Sequence, residues 1–101
     1  MAHFKGSHIA ATSGSKLAEL TKVDHPTVLH FARSINGLSV ERLAQKTGIG
    51  ESRLRNMENG IGDNWTSPGE AAALERTFGA PEKELLAPGT SDNCFAYVRR
   101  V

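Results

Sequence analysis

The chain is poor in cysteine and aromatic residues and has no long apolar run, and each shortage excludes a class of protein. Cys94 is the single cysteine in 101 residues, which excludes an internal disulfide and a zinc site made of cysteines alone. No apolar run approaches the length of a membrane-spanning helix, and residues 1–8 lack the apolar centre of a signal peptide. We therefore expect one small domain in the cytoplasm.

An excess of charge of either sign is also lacking. The chain has 12 basic and 11 acidic residues, for a net charge of +1. Residues 24–88 carry seven Lys and Arg against nine Asp and Glu, whereas residues 1–23 and 89–101 are slightly basic. Because phosphate neutralisation dominates affinity for nucleic acids, this balance disfavours strong non-specific binding. Specific binding stays open, since the fold decides which charges face a partner.

Catalytic and metal-binding patterns are missing as well. His3 and His8, like His25 and His30, are five residues apart, and this spacing does not place a pair neatly on one face of a helix. No set of cysteine, histidine and carboxylate residues has zinc-ligand spacing, and no glycine-rich phosphate loop follows a strand. We expect surface histidines, no metal, no cofactor and no enzymatic activity.

The most informative stretch is residues 38–60, whose pattern predicts two short helices joined by a tight turn. Ser39 can cap the first helix, Gly48 can take the positive φ at its end, and Asn59-Gly60 can stop the second. The apolar positions with helical spacing are Leu43, Ala44, Ile49, Leu54 and Met57. Such a pair with a polar outer face is a helix-turn-helix, whose usual partner is the DNA major groove.

The residues before this pattern divide into an arm and the start of a domain. Residues 1–23 are assigned to a polar N-terminal arm and a short helix. Asp24 as a cap, with Pro26 in the first turn, predicts the first helix of the domain, which ends near Ile35. The domain itself is expected to span residues 24–88.

The residues after the pattern predict two more helices and a tail. Ser67 as a cap, Pro68 at the first helical position and Glu70 three residues after the cap predict a helix that ends at Gly79. A last short helix follows. Residues 89–101 form a tail rich in β-forming residues, which favours a strand that a second chain or the arm would have to pair.

Four short pieces of sequence carry a family resemblance. They are Leu38-Ser39-x-Glu41-x-Leu43-Ala44, Gly48-Ile49, Leu54-x-x-Met57-Glu58-Asn59-Gly60 and Phe78-Gly79-Ala80-Pro81-x-x-Glu84-Leu85-Leu86. In this order and spacing they resemble the phage repressor and Cro-like helix-turn-helix family, of the xenobiotic-response-element type. The resemblance covers residues 26–87. It implies an all-α, five-helix, lambda-repressor-like bundle that binds operator DNA, commonly as a dimer.

The resemblance also implies which residues read bases. Glu51, Ser52, Arg55 and Asn56 fall on the exposed face of the recognition helix, and positions matching Glu51, Ser52 and Asn56 contact base edges in relatives. Arg55 can pair with guanine or a phosphate, Asn56 can read adenine, and Glu51 can accept from cytosine N4. The alternative is an ordinary solvated helix face.

Contacts to the DNA backbone are expected from helix starts and from short polar or basic side chains. The candidates are Ser39, Arg53, Asn59, Asn64 and Thr66. Lys5 and Lys16 are candidates for a basic arm in the minor groove, a device that helix-turn-helix proteins use.

One pair and three departures complete the comparison with the family pattern, and one of the departures is that the recognition helix begins with Glu51, an anion brought toward phosphates. Arg33 and Glu58 match a pair that forms a buried ion bridge in some relatives, and such a bridge fixes orientation more than it adds net stability. Val40 stands where the family often has a glutamine that binds a phosphate. Glu75 stands where relatives usually have a small apolar residue, so the fourth helix either packs differently or faces a partner.

The sequence therefore predicts a sequence-specific transcriptional regulator of double-stranded operator DNA in a bacterial host cell. It would resemble a Cro protein or a short immunity repressor and place helix 50–59 in the major groove. A homodimer is expected, with contacts from the last helix and from residues 95–98. The alternative is an antitoxin or anti-regulator that uses the same fold to bind a toxin or another regulator. The sequence leaves repression or activation open.

Overall fold

The computed structural model describes residues 24–61 and 66–100. These residues form six helices and a two-stranded sheet. In chain order the elements are β1 (His25–Thr27), α1 (Val28–Ile35), α2 (Val40–Thr47), α3 (Glu51–Glu58), α4 (Pro68–Phe78), α5 (Glu82–Leu85), β2 (Pro88–Gly89) and α6 (Ser91–Arg100). The mostly helical fold is confirmed, but this part of the chain has one helix more than predicted. None of its helices is long and apolar enough to cross a membrane.

The helix ends in the middle of the chain follow the predicted signals. The Ser39 hydroxyl caps α2, and Ser67 and Glu70 form a reciprocal capping box at the start of α4. α2 ends at Gly48 (φ 77°) and α4 ends at Gly79 (φ 73°), both in the left-handed conformation that glycine adopts without strain. Local side-chain chemistry fixes these boundaries, so the predictions for them are confirmed.

The start of α1 differs from the prediction. The helix begins at Val28 with Thr27 as its cap, not at Asp24 with Pro26 in the first turn. A residue before proline avoids the helical region, so His25 is extended, and Thr27 offers a side chain that accepts a backbone N–H of the first turn. His25–Thr27 instead forms β1, which pairs antiparallel with β2.

The β1–β2 pairing brings two backbones unusually close. His25 lies opposite Gly89, and a Cβ atom on residue 89 would lie 2.6 Å from the His25 carbonyl oxygen. Only glycine fits at that distance. The backbone N–H of Val28 donates to the Ala87 carbonyl at 3.0 Å, which ties the start of α1 to the residues before β2.

The C-terminal tail is a helix rather than the predicted strand. α6 buries Cys94 and Tyr97, three residues apart, as a helix with one core-facing side requires. The Tyr97 hydroxyl donates to the Phe78 carbonyl at 3.1 Å, and its ring meets the Phe31 ring edge-on. β-propensity is a weak preference, and packing against the core overrides it in this tail. The core therefore extends beyond residue 88.

One apolar core joins these elements. α1 is its centre and buries five of its eight residues. The buried hydrophobic residues are Val28, Leu29, Phe31, Ala32, Ile35, Leu43, Ile49, Leu54, Met57, Ala73, Leu74, Phe78, Ala80, Leu85, Cys94 and Tyr97. Burial raises the pKa of the Cys94 thiol to about 11, so the reactive thiolate is scarce at neutral pH.

Candidate nucleic-acid interface

The turn between α2 and α3 sets the direction of α3. Gly48 reverses the chain, and the buried Ile49 anchors the turn in the core. The Thr47 hydroxyl donates to the Leu43 carbonyl at 2.8 Å and accepts the backbone N–H of Ile49 at 3.2 Å. α3 then starts at Glu51, and its N-cap residue, Gly50, has no side chain that could accept one of the first backbone N–H groups. Backbone N–H groups at the start of a helix are suited to binding an anion such as a phosphate.

α3 has one buried face and one exposed polar face. Leu54, Met57 and Glu58 are buried, whereas Ser52, Arg55, Asn56 and Asn59 are exposed and Glu51 is half-buried. The exposed positions are three, four and seven residues apart, so they share one side of the helix. The structure thus brings the four candidate base-reading side chains onto a single surface with a hydroxyl, an amide, a guanidinium and a carboxylate.

Two of these side chains contact each other. Arg55 Nη2 lies 3.5 Å from Glu51 Oε1, and both side chains are about half exposed. An exposed ion pair of this kind adds only about 0.3–0.5 kcal/mol to the stability of the fold. Either side chain can therefore exchange its partner for a group that binds it more strongly. In the free protein it offsets the negative charge of Glu51 on a surface that would approach phosphates.

A buried ion bridge holds the far end of α3. Arg33 Nε lies 2.6 Å from Glu58 Oε2, and Glu58 is only 2% exposed. Arg33 also donates from Nη1 to the Leu38 carbonyl at 2.9 Å, and the Thr27 hydroxyl donates to the Glu58 carbonyl at 2.8 Å. The C-terminus of α3 is therefore tied to both ends of α1, which fixes the angle at which its exposed face is presented.

The match to known families agrees with this geometry. A family model described as helix-turn-helix (HTH_3) matches residues 29–85, more than half of the chain. The chain belongs to the phage repressor and Cro-like helix-turn-helix family. No curated protein and no solved structure matches it. Family membership makes it a DNA-binding protein of the transcription-regulator type, in which α3 occupies the place of the recognition helix.

The candidates for contacts to the DNA backbone differ in the exposure of their side chains and in the hydrogen bonds that these already make within the fold. Ser39 is exposed at the start of α2, where its oxygen accepts a backbone N–H and its own O–H can donate to a phosphate. The Asn59 amide donates to the Arg55 carbonyl at 2.8 Å and closes the end of α3. Thr66 is half-buried just before α4.

Arg53 has a structural role inside the helix-turn-helix domain. Its guanidinium lies 3.2 Å from Glu70 Oε1, which joins α3 to the capping box of α4. The hydrogen bond with Glu70 raises the pKa of Arg53, and the same contact lowers the pKa of Glu70. The predicted contact of Arg53 with a phosphate therefore competes with this pair. The other predicted DNA contacts, Asn64, Lys5 and Lys16, lie outside the described residues.

Glu75 also has a partner within the fold. Its carboxylate accepts the backbone N–H of Glu82 at 3.1 Å, at the start of α5. Pro81, the N-cap residue of α5, has no side-chain group that could do so. The departure from the family pattern at Glu75 thus has a local explanation, without a partner protein.

His25 and His30, which the sequence spacing kept apart, lie in contact. Their Nδ1 atoms are 3.0 Å apart and their ring centroids 5.2 Å apart, because His25 stands on β1 rather than on a helix. One ring donates and the other accepts, so the contact requires at least one neutral ring. No group of three metal-ligating side chains forms within residues 24–61 and 66–100.

We predict that His30 makes the folded protein less stable at mildly acidic pH. Burial is the main cause that lowers the pKa of His30 below 6.5, with His25 and Arg33 adding to it and Glu58 opposing it. The unfolded chain therefore takes up this proton at a higher pH than the folded chain. The stability that neutral His30 contributes is fully present above pH 6.5. It is lost as the pH falls through the pKa that His30 has in the folded protein.

A comparison of melting temperatures checks this sign. Between about pH 7.5 and about pH 5.5, the melting temperature of the wild type should fall further than that of His30→Gln, which keeps a hydrogen-bonding side chain but does not titrate. Circular dichroism at both pH values gives the two differences. Equal falls in both proteins would show that His30 does not contribute.

Proposed function

We propose that the protein is a sequence-specific transcriptional regulator that inserts helix 50–59 into the major groove of operator DNA. The observation that carries this proposal is the exposed face of α3, with Ser52, Arg55 and Asn56 side by side. The N-terminal residues of a recognition helix contact base edges, and these side chains lie in its first two turns. A Cro-like or immunity-repressor-like protein of a phage or bacterium is the type that fits best.

Each side chain on this face has a chemical counterpart in the major groove. Asn56 can pair with both N6 and N7 of adenine, and Arg55 with O6 and N7 of guanine once it leaves Glu51. Glu51 can then accept from cytosine N4 on the complementary strand. Arg55 must leave Glu51 before it can bind DNA. We therefore expect it to bind guanine, which offers the two acceptors O6 and N7, in preference to a phosphate of the DNA backbone.

The charge distribution predicts weak non-specific binding. Arg53 is paired with Glu70 and Arg55 with Glu51, so α3 presents little unbalanced positive charge. Arg42, which is exposed on α2, adds one further positive charge. A protein that neutralises few phosphates shows a shallow dependence of log affinity on log salt. Specificity should therefore rest on base contacts more than on phosphate contacts.

Selection from a random duplex library tests the proposal. The wild type should enrich one consensus, and Arg55→Ala/Asn56→Ala should bind it at least about tenfold more weakly, since each two-bond base contact contributes about 1–3 kcal/mol of discrimination. Arg76→Ala removes one exposed positive charge from α4 and is the matched control, with binding close to the wild type. Failure to enrich a consensus, or equal binding by the double variant, would contradict the proposal.

Protein binding is the second candidate function, as an antitoxin or an antagonist of another regulator. The exposed side chain of Phe95 is the observation that favours it. The local role of Glu75 removes one argument for it. A library selection that enriches nothing would favour this candidate, whereas an enriched consensus that depends on Arg55 and Asn56 would favour the regulator.

A homodimer is also part of the proposal. A helix-turn-helix dimer reads two half-sites about one helical turn apart, so the enriched consensus should be an inverted repeat. A single unrepeated half-site would contradict dimeric binding but not binding by α3.

A further inference from the structure

Arg53 and Glu70 form a two-bond ion pair at the edge of the exposed face of α3. Arg53 Nη2 lies 3.2 Å from Glu70 Oε1, and Arg53 Nε lies 3.3 Å from Glu70 Oε2. The two side chains are 39% and 26% exposed, so the pair borders the solvent from which DNA would approach. A guanidinium binds a carboxylate and a phosphate with the same fork of N–H donors. The carboxylate of Glu70 therefore occupies the place that a phosphate would take.

The position of Arg53 on α3 suits a contact with the DNA backbone. Arg53 is three residues before the exposed Asn56 and four residues before the buried Met57, so it lies where the exposed face of the helix ends. Its partner Glu70 places it on the side of α3 that is next to the start of α4. A helix in the major groove has base edges in front of it and sugar–phosphate strands along its sides. An arginine at this edge is therefore placed to bind a phosphate rather than a base.

Glu70 is held in position by more than its pair with Arg53. Its carboxylate also accepts the backbone N–H of Ser67 at 3.1 Å, and its backbone N–H donates to the Ser67 hydroxyl at 3.2 Å. The hydrogen bond from Arg53, followed by the one from Ser67, lowers the pKa of Glu70, so the carboxylate is ionised at neutral pH. A side chain fixed in this way keeps its negative charge beside Arg53 when DNA approaches.

We propose that Glu70 is a specificity-determining residue, which holds Arg53 in place of a DNA phosphate and so weakens binding to non-operator DNA. On non-operator DNA no base contact fixes α3, and affinity depends almost entirely on phosphate contacts. On the operator, base contacts from Arg55 and Asn56 fix α3, so Arg53 cannot shift to meet a phosphate. The pair therefore lowers non-specific affinity more than specific affinity. The statement about the operator rests on the proposed function, whereas the statement about non-operator DNA does not.

Glu70→Gln in the full-length protein tests the proposal. Glutamine can keep the capping box, since Glu and Gln both serve at that position, but it carries no charge to hold the guanidinium. On a random-sequence duplex at about 0.1 M salt, the variant should bind at least about threefold more tightly than the wild type, and its slope of log affinity against log salt should be steeper by about 0.9. Affinity for the selected consensus should rise by less, so the ratio of the two affinities should fall. Fluorescence anisotropy over a salt series measures these quantities.

Arg53→Gln/Glu70→Gln shows whether the gain belongs to Arg53. This double variant has the net charge of the wild type and no guanidinium to release, so the tighter binding and the steeper slope should both disappear. A gain that persists without Arg53 would overturn the proposal, as would a Glu70→Gln variant with the slope of the wild type. An equal rise in affinity for the consensus and the random duplex would overturn the role in specificity. Circular dichroism melts verify that each variant is folded at the temperature of measurement.

Two matched variants control for the change of charge. Glu84→Gln removes a carboxylate from the exposed pair with Arg100, on helices without a candidate DNA contact, and should change non-operator affinity by less than about twofold because salt screens distant charges. Glu41→Gln removes an exposed carboxylate from α2, within the helix-turn-helix, and should raise non-operator affinity less than Glu70→Gln does. An equal rise would overturn the proposal, because the loss of any nearby negative charge would then explain it. A library that enriches no consensus would contradict the proposed function, whereas the random duplex would still test Glu70.

Discussion

Replacing Arg33 by methionine is expected to lower the free energy of unfolding by about 3 kcal/mol or more. The substitution removes the cation that lies 2.6 Å from Glu58 Oε2 and leaves that carboxylate buried without its partner. It also removes the donor to the Leu38 carbonyl. For a domain of this size, the melting temperature should fall by more than about 10 °C. Circular dichroism and urea titration measure both quantities.

Two comparisons separate the buried pair from general effects. Arg100→Met removes the same kind of side chain from the exposed pair with Glu84 and should lower the free energy of unfolding far less than Arg33→Met, because solvent screens an exposed ion pair. Arg33→Met/Glu58→Leu removes both charges and should recover much of the loss, because an apolar replacement of a buried pair is often neutral. A single variant as stable as Arg100→Met would show that the bridge does not hold α3.

The consequence for DNA binding is separate from stability. At a temperature where Arg33→Met is folded, its affinity for the selected consensus should still be lower than that of the wild type. The bridge between Arg33 and Glu58 holds the end of α3 against α1, and it therefore sets the orientation of the helix face that carries Arg55 and Asn56. Unchanged affinity in the folded variant would contradict this role.

Replacing Tyr97 by alanine is expected to cost about 4 kcal/mol. The side chain is 1% exposed, its ring packs against Phe31, and its hydroxyl donates to the Phe78 carbonyl. Burial raises the pKa of Tyr97 to about 12, so the phenol keeps its proton at neutral pH and remains a donor. The variant loses apolar contacts, leaves a cavity, and removes the hydroxyl that donates to the buried Phe78 carbonyl. Urea unfolding gives the change directly.

Phe95→Ala is the matched control for this experiment. It removes an aromatic ring two residues away on the same helix, but from the exposed face, and should change stability by no more than about 0.5 kcal/mol. Both variants are compared at a protein concentration low enough to keep the wild type monomeric. Equal costs for the two substitutions would mean that α6 does not belong to the core.

The elements predicted correctly from sequence are those fixed by neighbouring residues. Ser39 and Gly48 define the two ends of α2, and the capping box of Ser67 and Glu70 starts α4. In each case the deciding interaction spans no more than four residues, so the pattern in the sequence contains it. The exposed face of α3 follows in the same way, because buried and polar positions alternate with the helical period.

The elements predicted wrongly depend on residues distant in sequence. His25 is in a strand because Gly89 pairs with it, and α6 is a helix because Phe31 and Phe78 receive Tyr97. Without those partners, the proline at 26 suggests a helix start and the β-forming tail suggests a strand. The contact between His25 and His30 follows from the same pairing, so no local spacing rule could have indicated it.

The long-range contacts of α1 also affect how the chain matures as it is synthesised. β1 and α1 are the first of the described elements to be made, yet their partners Gly89 and Tyr97 are among the last. The helix-turn-helix between them depends on shorter-range contacts and can form earlier, since closing long loops is what slows folding. A nascent chain therefore exposes part of the apolar surface of α1 until α6 is complete, and during that interval it is a candidate for chaperone binding.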